Sequence, residues 1–336
     1  KLVNRYNEHI HICCTSEDIN NIAYSLMIKE GRDLLINQAN MLERAIKSMG
    51  KKYKSVAMLS HTHGQPASPT TMGKEFINFQ KRFSAQIDDL KNIQIKGKFN
   101  GATGNYSAHS IAYPKMNWPL SMKRFVNSLK LEFNSHTTQI EPHDYIADIC
   151  HKINHINSIL IGFSQDIWTY ISKNYFSQKN IKGEIGSSTM PHKINPINFE
   201  NAEGNLGMSN AISQYFATKL VISRLQRDLS DSTVLRNIGL VYAYSIIAYK
   251  NILLGLNKLD LNKVKIANDL DECWEILAEP IQMVARKYQI SNSYEILKKY
   301  TRGKKVDKMT IKKIIESLDI PASEKNRLLE LTPKKY

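Results

Sequence analysis

The stretch DYIADICHKINHINSILIGFSQDIWTY, Asp144 to Tyr170, decides the fold class. Its apolar residues fall at Ile146, Ile149, Ile153, Ile156, Leu160, Phe163, Ile167 and Tyr170, in steps of three and four. In a helix those positions gather on one stripe, whereas a half-buried strand would alternate with a period of two. The spacing therefore predicts one long helix. Working outward, similar patterns run from about Ile19 to Ser48 and from about Thr70 to Ile95. Another follows Ser232, with Val234, Ile238, Val241, Ile246 and Ile252 roughly in phase. Strand signals are confined to short runs such as Ile93–Phe99. An all-α fold is expected, with a long central helical bundle over residues 1–261. After Leu261 the pattern shortens and ends in a basic tail, which predicts a small C-terminal helical domain over 262–336. The apolar stripes are wide enough to suggest packing against other subunits as well.

With 42% hydrophobic and 23% charged residues, the 336-residue composition is that of an ordinary globular protein. No uninterrupted apolar run approaches the ~18 residues of a membrane span, and Lys1 to Asn7 has no signal-peptide pattern. Four cysteines, Cys13, Cys14, Cys150 and Cys273, form no CxxC pair. They read as free thiols, which predicts a cytoplasmic protein without a zinc site. The net charge of +15 is spread over pairs such as Lys51–Lys52, Lys298–Lys299 and Lys304–Lys305, densest near the C-terminus. It forms no single block of the kind that grips nucleic acid, but it suits a polyanionic small substrate.

Polar or Gly/Pro-containing stretches interrupt the helices at His11–Asn21, Ser60–Thr71, Asn134–Asp144 and Gln178–Pro196. The last holds Gly-Glu-Ile-Gly-Ser-Ser-Thr-Met-Pro-His-Lys-Ile-Asn-Pro, Gly183 to Pro196. A connector needs no such density of serines, His, Lys and Asn. The stretch resembles the signature loop of the fumarase/aspartase superfamily, Ser-Ser-x-x-Met-Pro-x-Lys-x-Asn, matched at Ser187, Ser188, Met190, Pro191, Lys193 and Asn195. His192 in the variable slot, followed by Phe199 to Asn205, resembles the adenylosuccinate lyase branch. Thr15 to Asn21 and Ser60 to Pro66 look like the first and second family motifs. The likeness continues through Thr138–Pro142 and Gln226–Asp228, and it implies a family N-terminal domain upstream of Lys1.

The resemblance implies β-elimination of fumarate from adenylosuccinate to give AMP, and a parallel cleavage of succinylaminoimidazole carboxamide ribotide. Such a reaction takes a proton from a carbon beside a carboxylate, so it needs a positioned base and preorganised donors for the new charge. The implied base is Ser187, acting as its alkoxide under a loop that closes and excludes water. Ser188, Lys193, Ile194 and Asn195 would surround the dianionic intermediate. His63, matched in Thr-His-Gly-Gln, is the implied general acid for the departing purine nitrogen, with His61 a neighbour. Implied substrate contacts are Thr15, Ser16, Gln139, Asn201, Arg227 and the run Ser232, Thr233, Val234, Leu235 and Arg236. Thr15 and Ser16 precede a helix start, and the arginines flank another, which suits carboxylates or a phosphate. Glu200 and Glu203 read as supports for the loop lysine, and His9, His11, His109, His136 and His143 as structural. No metal or organic cofactor is implied. The family implies a homotetramer with composite active sites, no nucleic acid partner and no membrane. Another lyase of the superfamily, a non-catalytic structural relative and a nucleic-acid-binding helical protein are the alternatives.

Overall fold

The structure, a computed structural model, describes residues 6–179, 190, 193–303 and 306–336. Its helices in chain order are α1 (Asn7–Ile10), α2 (Ser16–Lys52), α3 (Met72–Asn92), α4 (Ser107–Ala112), α5 (Trp118–Ser128), α6 (Asp144–Ser172) and α7 (Ile197–Lys219). They continue with α8 (Ser230–Leu235), α9 (Ile238–Lys258), α10 (Lys263–Asp271), α11 (Ala278–Lys287), α12 (Ser293–Thr301), α13 (Lys308–Ser317) and α14 (Ala322–Leu329). Among the described residues, three two-stranded sheets pair β1 (Ala57–Thr62) with β2 (Gln65–Thr71), β3 (Lys96–Gly97) with β4 (Glu132–Phe133), and β5 (Phe176–Gln178) with β6 (Leu259–Leu261). The fold is thus mainly helical, as the periodicity implies. The strand signal at Ile93–Phe99 shrinks to Lys96–Gly97.

Lys1–Arg44, Lys81–Ile167 and Pro196–Asn257 form one compact unit; Ala45–Gln80, Trp168–Asn195 and Lys258–Tyr336 form another. In the first, the α6 stripe is buried as read, at Ile146, Ile149, Ile153, Ile156, Leu160, Phe163 and Ile167. One polar layer crosses this core. The Asn157 side-chain amide donates to Ser209 (3.1 Å) and Ser245 (3.0 Å) and accepts from the Tyr249 hydroxyl (3.0 Å), linking α6, α7 and α9. A satisfied buried network of this kind fixes helix register without leaving an unpaired group.

The helix expected from Ser232 to Ile252 is instead broken into α8 and α9. The cause is Asn237, whose side-chain amide donates to the Thr233 carbonyl (3.1 Å) while its backbone N–H turns to Val234 (3.0 Å). The side chain takes the carbonyl that a continuous helix would give to the backbone. By composition, Ser230–Lys258 is long and apolar enough to cross a membrane. The break at Asn237 and the burial of Leu235, Val241, Tyr249, Ile252 and Leu256 give it the character of a core segment.

In the second unit, α2 meets α3 at glycine: a Cβ on Gly73 would lie 2.4 Å from the Gly50 carbonyl oxygen. Near the C-terminus Leu277, Ile281, Leu297, Ile311, Ile314 and Ile315 build a core of their own. This is the small C-terminal helical domain.

Candidate active site

The first family-like motif opens α2, and Asp18 is its anchor. The fully buried Asp18 carboxylate accepts the Thr15 N–H (3.0 Å), closing a capping-box contact. It also accepts the N–H groups of Asn100 (3.1 Å) and Gly101 (3.2 Å) and the Lys98 ammonium (2.8 Å). Lys98 is fully buried too, and burial pushes its ammonium below the usual range against the pull of Asp18. Asn21 reinforces the junction by accepting the Lys98 N–H (2.8 Å) and donating to its carbonyl (3.0 Å). Helix capping thus falls to Asp18, leaving the hydroxyls of half-buried Thr15 and exposed Ser16 at the helix mouth.

In the first turn of α2, buried Glu17 faces Arg227 across 3.5 Å. Arg227 also donates to the Gln139 side-chain oxygen (3.1 Å), and the Gln139 N–H donates to the Gln226 carbonyl (3.2 Å). Two segments that carry implied substrate contacts, 88 residues apart, are therefore joined side by side. Burial pushes the Glu17 carboxyl above its ordinary range, opposed by Arg227, His143 and Lys98. Buried His143 sits nearby, with Nε2 3.3 Å from Asp231 and Nδ1 3.8 Å from Glu141. Burial would raise the Asp231 carboxyl, but the His143 hydrogen bond and charge bring it below the usual value. Burial dominates at Glu141 and raises it, despite hydrogen bonds from Asn134 and the His143 N–H.

Ser232, Thr233, Val234 and Leu235 lie in α8, just after this cluster, and the Ser232 N–H donates to Asp231 (2.8 Å). Arg236 falls at the C-terminal cap of α8 and just before Ile238, the first residue of α9, so it flanks the N-terminus of α9. It is exposed and makes no ion pair among the described residues. Asn201, on the exposed side of α7, accepts from Asn205 (3.0 Å) and is not joined to the Arg227 cluster by any described hydrogen bond. Glu203 accepts from Gln165 (2.9 Å) rather than from the loop lysine.

In the second unit, His63 tops the β1–β2 hairpin. Thr62 pairs with Gln65, so His63 and Gly64 alone form the turn. Their φ values of +52° and +72° are those of a type I′ turn, the two-residue turn whose twist matches paired strands. The left-handed conformation is strained for His63, and such strain concentrates at functional sites. Below the turn, the register slips between Leu59 and Ser60, and the Ser60 hydroxyl donates to the Ser68 carbonyl across the bulge. His61 instead lines a cavity of about 380 Å³ with Lys173, Lys265 and Asp269, and burial pushes its imidazole below the ordinary range.

On the signature stretch, the Lys193 N–H donates to the Met190 carbonyl (3.0 Å), and Gln178 donates to the Ile194 carbonyl (3.1 Å). The Asn195 side-chain oxygen is buried with no partner among the described residues, an acceptor free for a donor. Ser187, Ser188 and His192 lie outside the described residues. Glu17, Asp18, Lys98, Glu141, His143 and Asp231 form the cluster's interior and were not among the implied contacts. Glu17, Asp18 and Glu141 lie within the quoted motifs, and Asp231 directly precedes Ser232; that adjacency was the available signal.

A family model described as Lyase matches residues 2–210, and one described as Adenylosuccinate lyase C-terminal matches 223–336. The fold is shared with the crystal structure of 3-carboxy-cis,cis-muconate lactonizing enzyme from Pseudomonas putida. That match has a TM-score of 0.74 at 18% identity and covers 97% of this chain and 73% of that one. A fumarate lyase from Mesorhizobium sp. BNC1 gives 0.73 at 18% identity, covering 97% and 74%. Model and fold together define a helical-bundle lyase of the fumarase/aspartase class. Adenylosuccinate lyase of Buchnera aphidicola subsp. Schizaphis graminum is 55% identical over 337 residues, spanning 100% of this chain and 74% of the relative. Those of Legionella pneumophila (strain Corby) and Escherichia coli (strain K12) are 54% and 51% identical, covering 97% and 98% of this chain and 72% and 73% of the relatives. The chain belongs to the adenylosuccinate lyase family.

Proposed function

We propose that the protein cleaves adenylosuccinate to AMP and fumarate, and succinylaminoimidazole carboxamide ribotide in the same way. The observation that carries this reading is 55% identity to an adenylosuccinate lyase along the whole chain. Ser187 takes the proton from the carbon beside the succinyl carboxylate. Lys193, Asn195 and Ser188 hold the dianion that results. The carbon–nitrogen bond then breaks, and His63 delivers a proton to the purine nitrogen as fumarate departs. Thr15, Ser16, Gln139, Asn201, Arg227 and the run from Ser232 to Arg236 bind the substrate's anionic groups and base. No cofactor takes part in this scheme, and the setting is cytoplasmic. Residues 262–336 act as the C-terminal domain.

The active assembly is a homotetramer whose sites draw on more than one subunit. Exposed apolar residues recur at seven-residue spacing on α2 (Met27, Leu34, Met41) and on α9 (Leu240, Ile247, Leu254), which supports helix-to-helix association. Incubating the full-length protein with adenylosuccinate and following AMP and fumarate tests the activity; argininosuccinate and malate serve as comparators. AMP formation is expected from adenylosuccinate alone, and turnover of a comparator instead would contradict the assignment. For the assembly, His63→Ala and Ser187→Ala proteins dissociated and reassembled together should regain activity that neither shows alone. Mixed tetramers without activity would place each site within one chain.

A further inference from the structure

The chain turns sharply at His143, just before α6. Its φ of +65° is left-handed, a conformation that costs energy for any residue with a Cβ. The turn aims the His143 N–H at Glu141 (2.8 Å) and leaves its carbonyl to accept from Ile146 (2.9 Å) and Ala147 (3.1 Å), starting α6. The ring does not cap that helix. It crosses to Asp231, 88 residues on, at 3.3 Å. The other Asp231 oxygen accepts the Ser232 N–H at 2.8 Å. An unbroken path of hydrogen bonds thus runs from the start of α6 through imidazole and carboxylate to the backbone of an implied substrate contact.

A second path lies alongside. Gln139 receives Arg227 at 3.1 Å and donates its N–H to Gln226 at 3.2 Å. The segment ending at His143 and the segment ending at Ser232 are therefore pinned at two places. The Gln139–Arg227 pin is made by residues with implied contact roles; the other is made by His143 and Asp231, which have none. The ring is 3% exposed and faces the carboxylates of Glu141 and Asp231, with Glu17 and Arg227 close enough to act on the same cluster.

We infer that His143 is a positioning residue: through Asp231 it holds Gln139, Arg227 and Ser232 in the register that the substrate's anionic groups require. This inference rests on the proposed contact roles of Gln139, Arg227 and Ser232. It predicts a loss concentrated in substrate affinity, because the imidazole bonds to Asp231 beside the proposed contact segments and takes no step in the proposed chemistry. A glutamine at this position can still donate an amide hydrogen to Asp231, whereas alanine cannot.

The test is steady-state kinetics on adenylosuccinate for His143→Ala, His143→Gln, Asp231→Ala, the double alanine variant and Arg227→Ala. His143→Ala is expected to raise KM about tenfold, ~1.4 kcal/mol, with kcat within about threefold of wild type. His143→Gln should recover most of that KM. The double variant should lose no more than the larger single loss, since both substitutions cut one link. An unchanged KM in His143→Ala with only a lowered melting temperature would overturn the inference, as would additive losses. If His143→Ala does not fold, Asp231→Ala carries the test, and an unchanged KM there overturns it equally. Arg227→Ala separates the two levels. A raised KM in Arg227→Ala beside a normal one in His143→Ala sinks the positioning role alone, whereas a normal KM in both sinks the contact assignments too.

Discussion

Two regions with implied roles in one reaction are built in opposite ways. Around half-buried Arg227, polar and charged groups hold one another in pairs: Glu17 with Arg227, Arg227 with Gln139, His143 with Asp231, Asp18 with Lys98. At the hairpin tip, His63 is exposed on a two-residue turn, and its ring makes no hydrogen bond among the described residues. The difference teaches how the work divides. Groups that bind fixed charges gain from rigid, desolvated surroundings, where electrostatic interactions are strong. In the proposed scheme His63 must reach the departing nitrogen, and the hairpin tip leaves its ring exposed for that. What the hairpin lacks in contacts it replaces with backbone geometry.

The most damaging way to break the rigid region is Lys98→Met. It leaves Asp18 buried with only the backbone amides of Thr15, Asn100 and Gly101 for compensation. Removing one partner of a buried pair costs about 3–5 kcal/mol, and those amides put this case at the lower end. Calorimetric unfolding should show a melting temperature lowered by several degrees; an unchanged value would mean that the pair does not hold the α2 mouth. The arginines sharpen the comparison within the binding region. The Arg236 side chain makes no ion pair or hydrogen bond among the described residues, so under the proposed roles it is the one of the two left to read the phosphate. Arg236→Ala should raise KM about tenfold for adenylosuccinate, a lost charge-assisted contact, and be nearly silent on the dephosphorylated analogue. Arg227→Ala should weaken both substrates and also destabilise the fold, because Glu17 is left buried without its cation. Equal behaviour of the two variants on the two analogues would remove the distinction.

On the hairpin, Gly64→Ala has empty space for the methyl group, with nothing within 4 Å, so only the φ of +72° opposes it. The expected cost is about 1–2 kcal/mol, read as a shift in melting temperature. A neutral result would show that the turn is not held in its type I′ form. The smallest expected effect concerns Glu141. Burial holds its carboxyl above the usual range. A carboxyl raised on folding contributes stability that is whole below its unfolded pKa of about 4.3 and is lost as pH rises through the folded value. Relative to wild type, Glu141→Gln should therefore gain in melting temperature as pH rises from about 4.3 toward neutrality. A difference that stays constant over that window would contradict the shift.

What the sequence makes legible follows from how local the signal is. The α6 stripe recurs every three or four residues, so the helix and its buried face can be read directly. The signature stretch is legible because its matched residues lie close together in the sequence, although Ser187 and Ser188 lie outside the described residues. The hairpin was hidden: Pro66 and Pro69 in β2, together with a register slip, erase the alternation that marks a strand. The break at Asn237 was hidden because it depends on one side chain taking a carbonyl, not on a proline or glycine. His143 looked like any structural histidine because its partner is 88 residues away. Only the fold brings them together.

The central division of labour, chemistry on the hairpin and binding in the buried cluster, is tested most directly by His63→Ala. Calorimetric titration with AMP and fumarate gives its affinity, and turnover of adenylosuccinate gives its rate. The account predicts affinity within about threefold of wild type and turnover reduced ~10²- to 10⁴-fold, the span of a lost general acid. Turnover close to wild type, or affinity and turnover falling together, would contradict it.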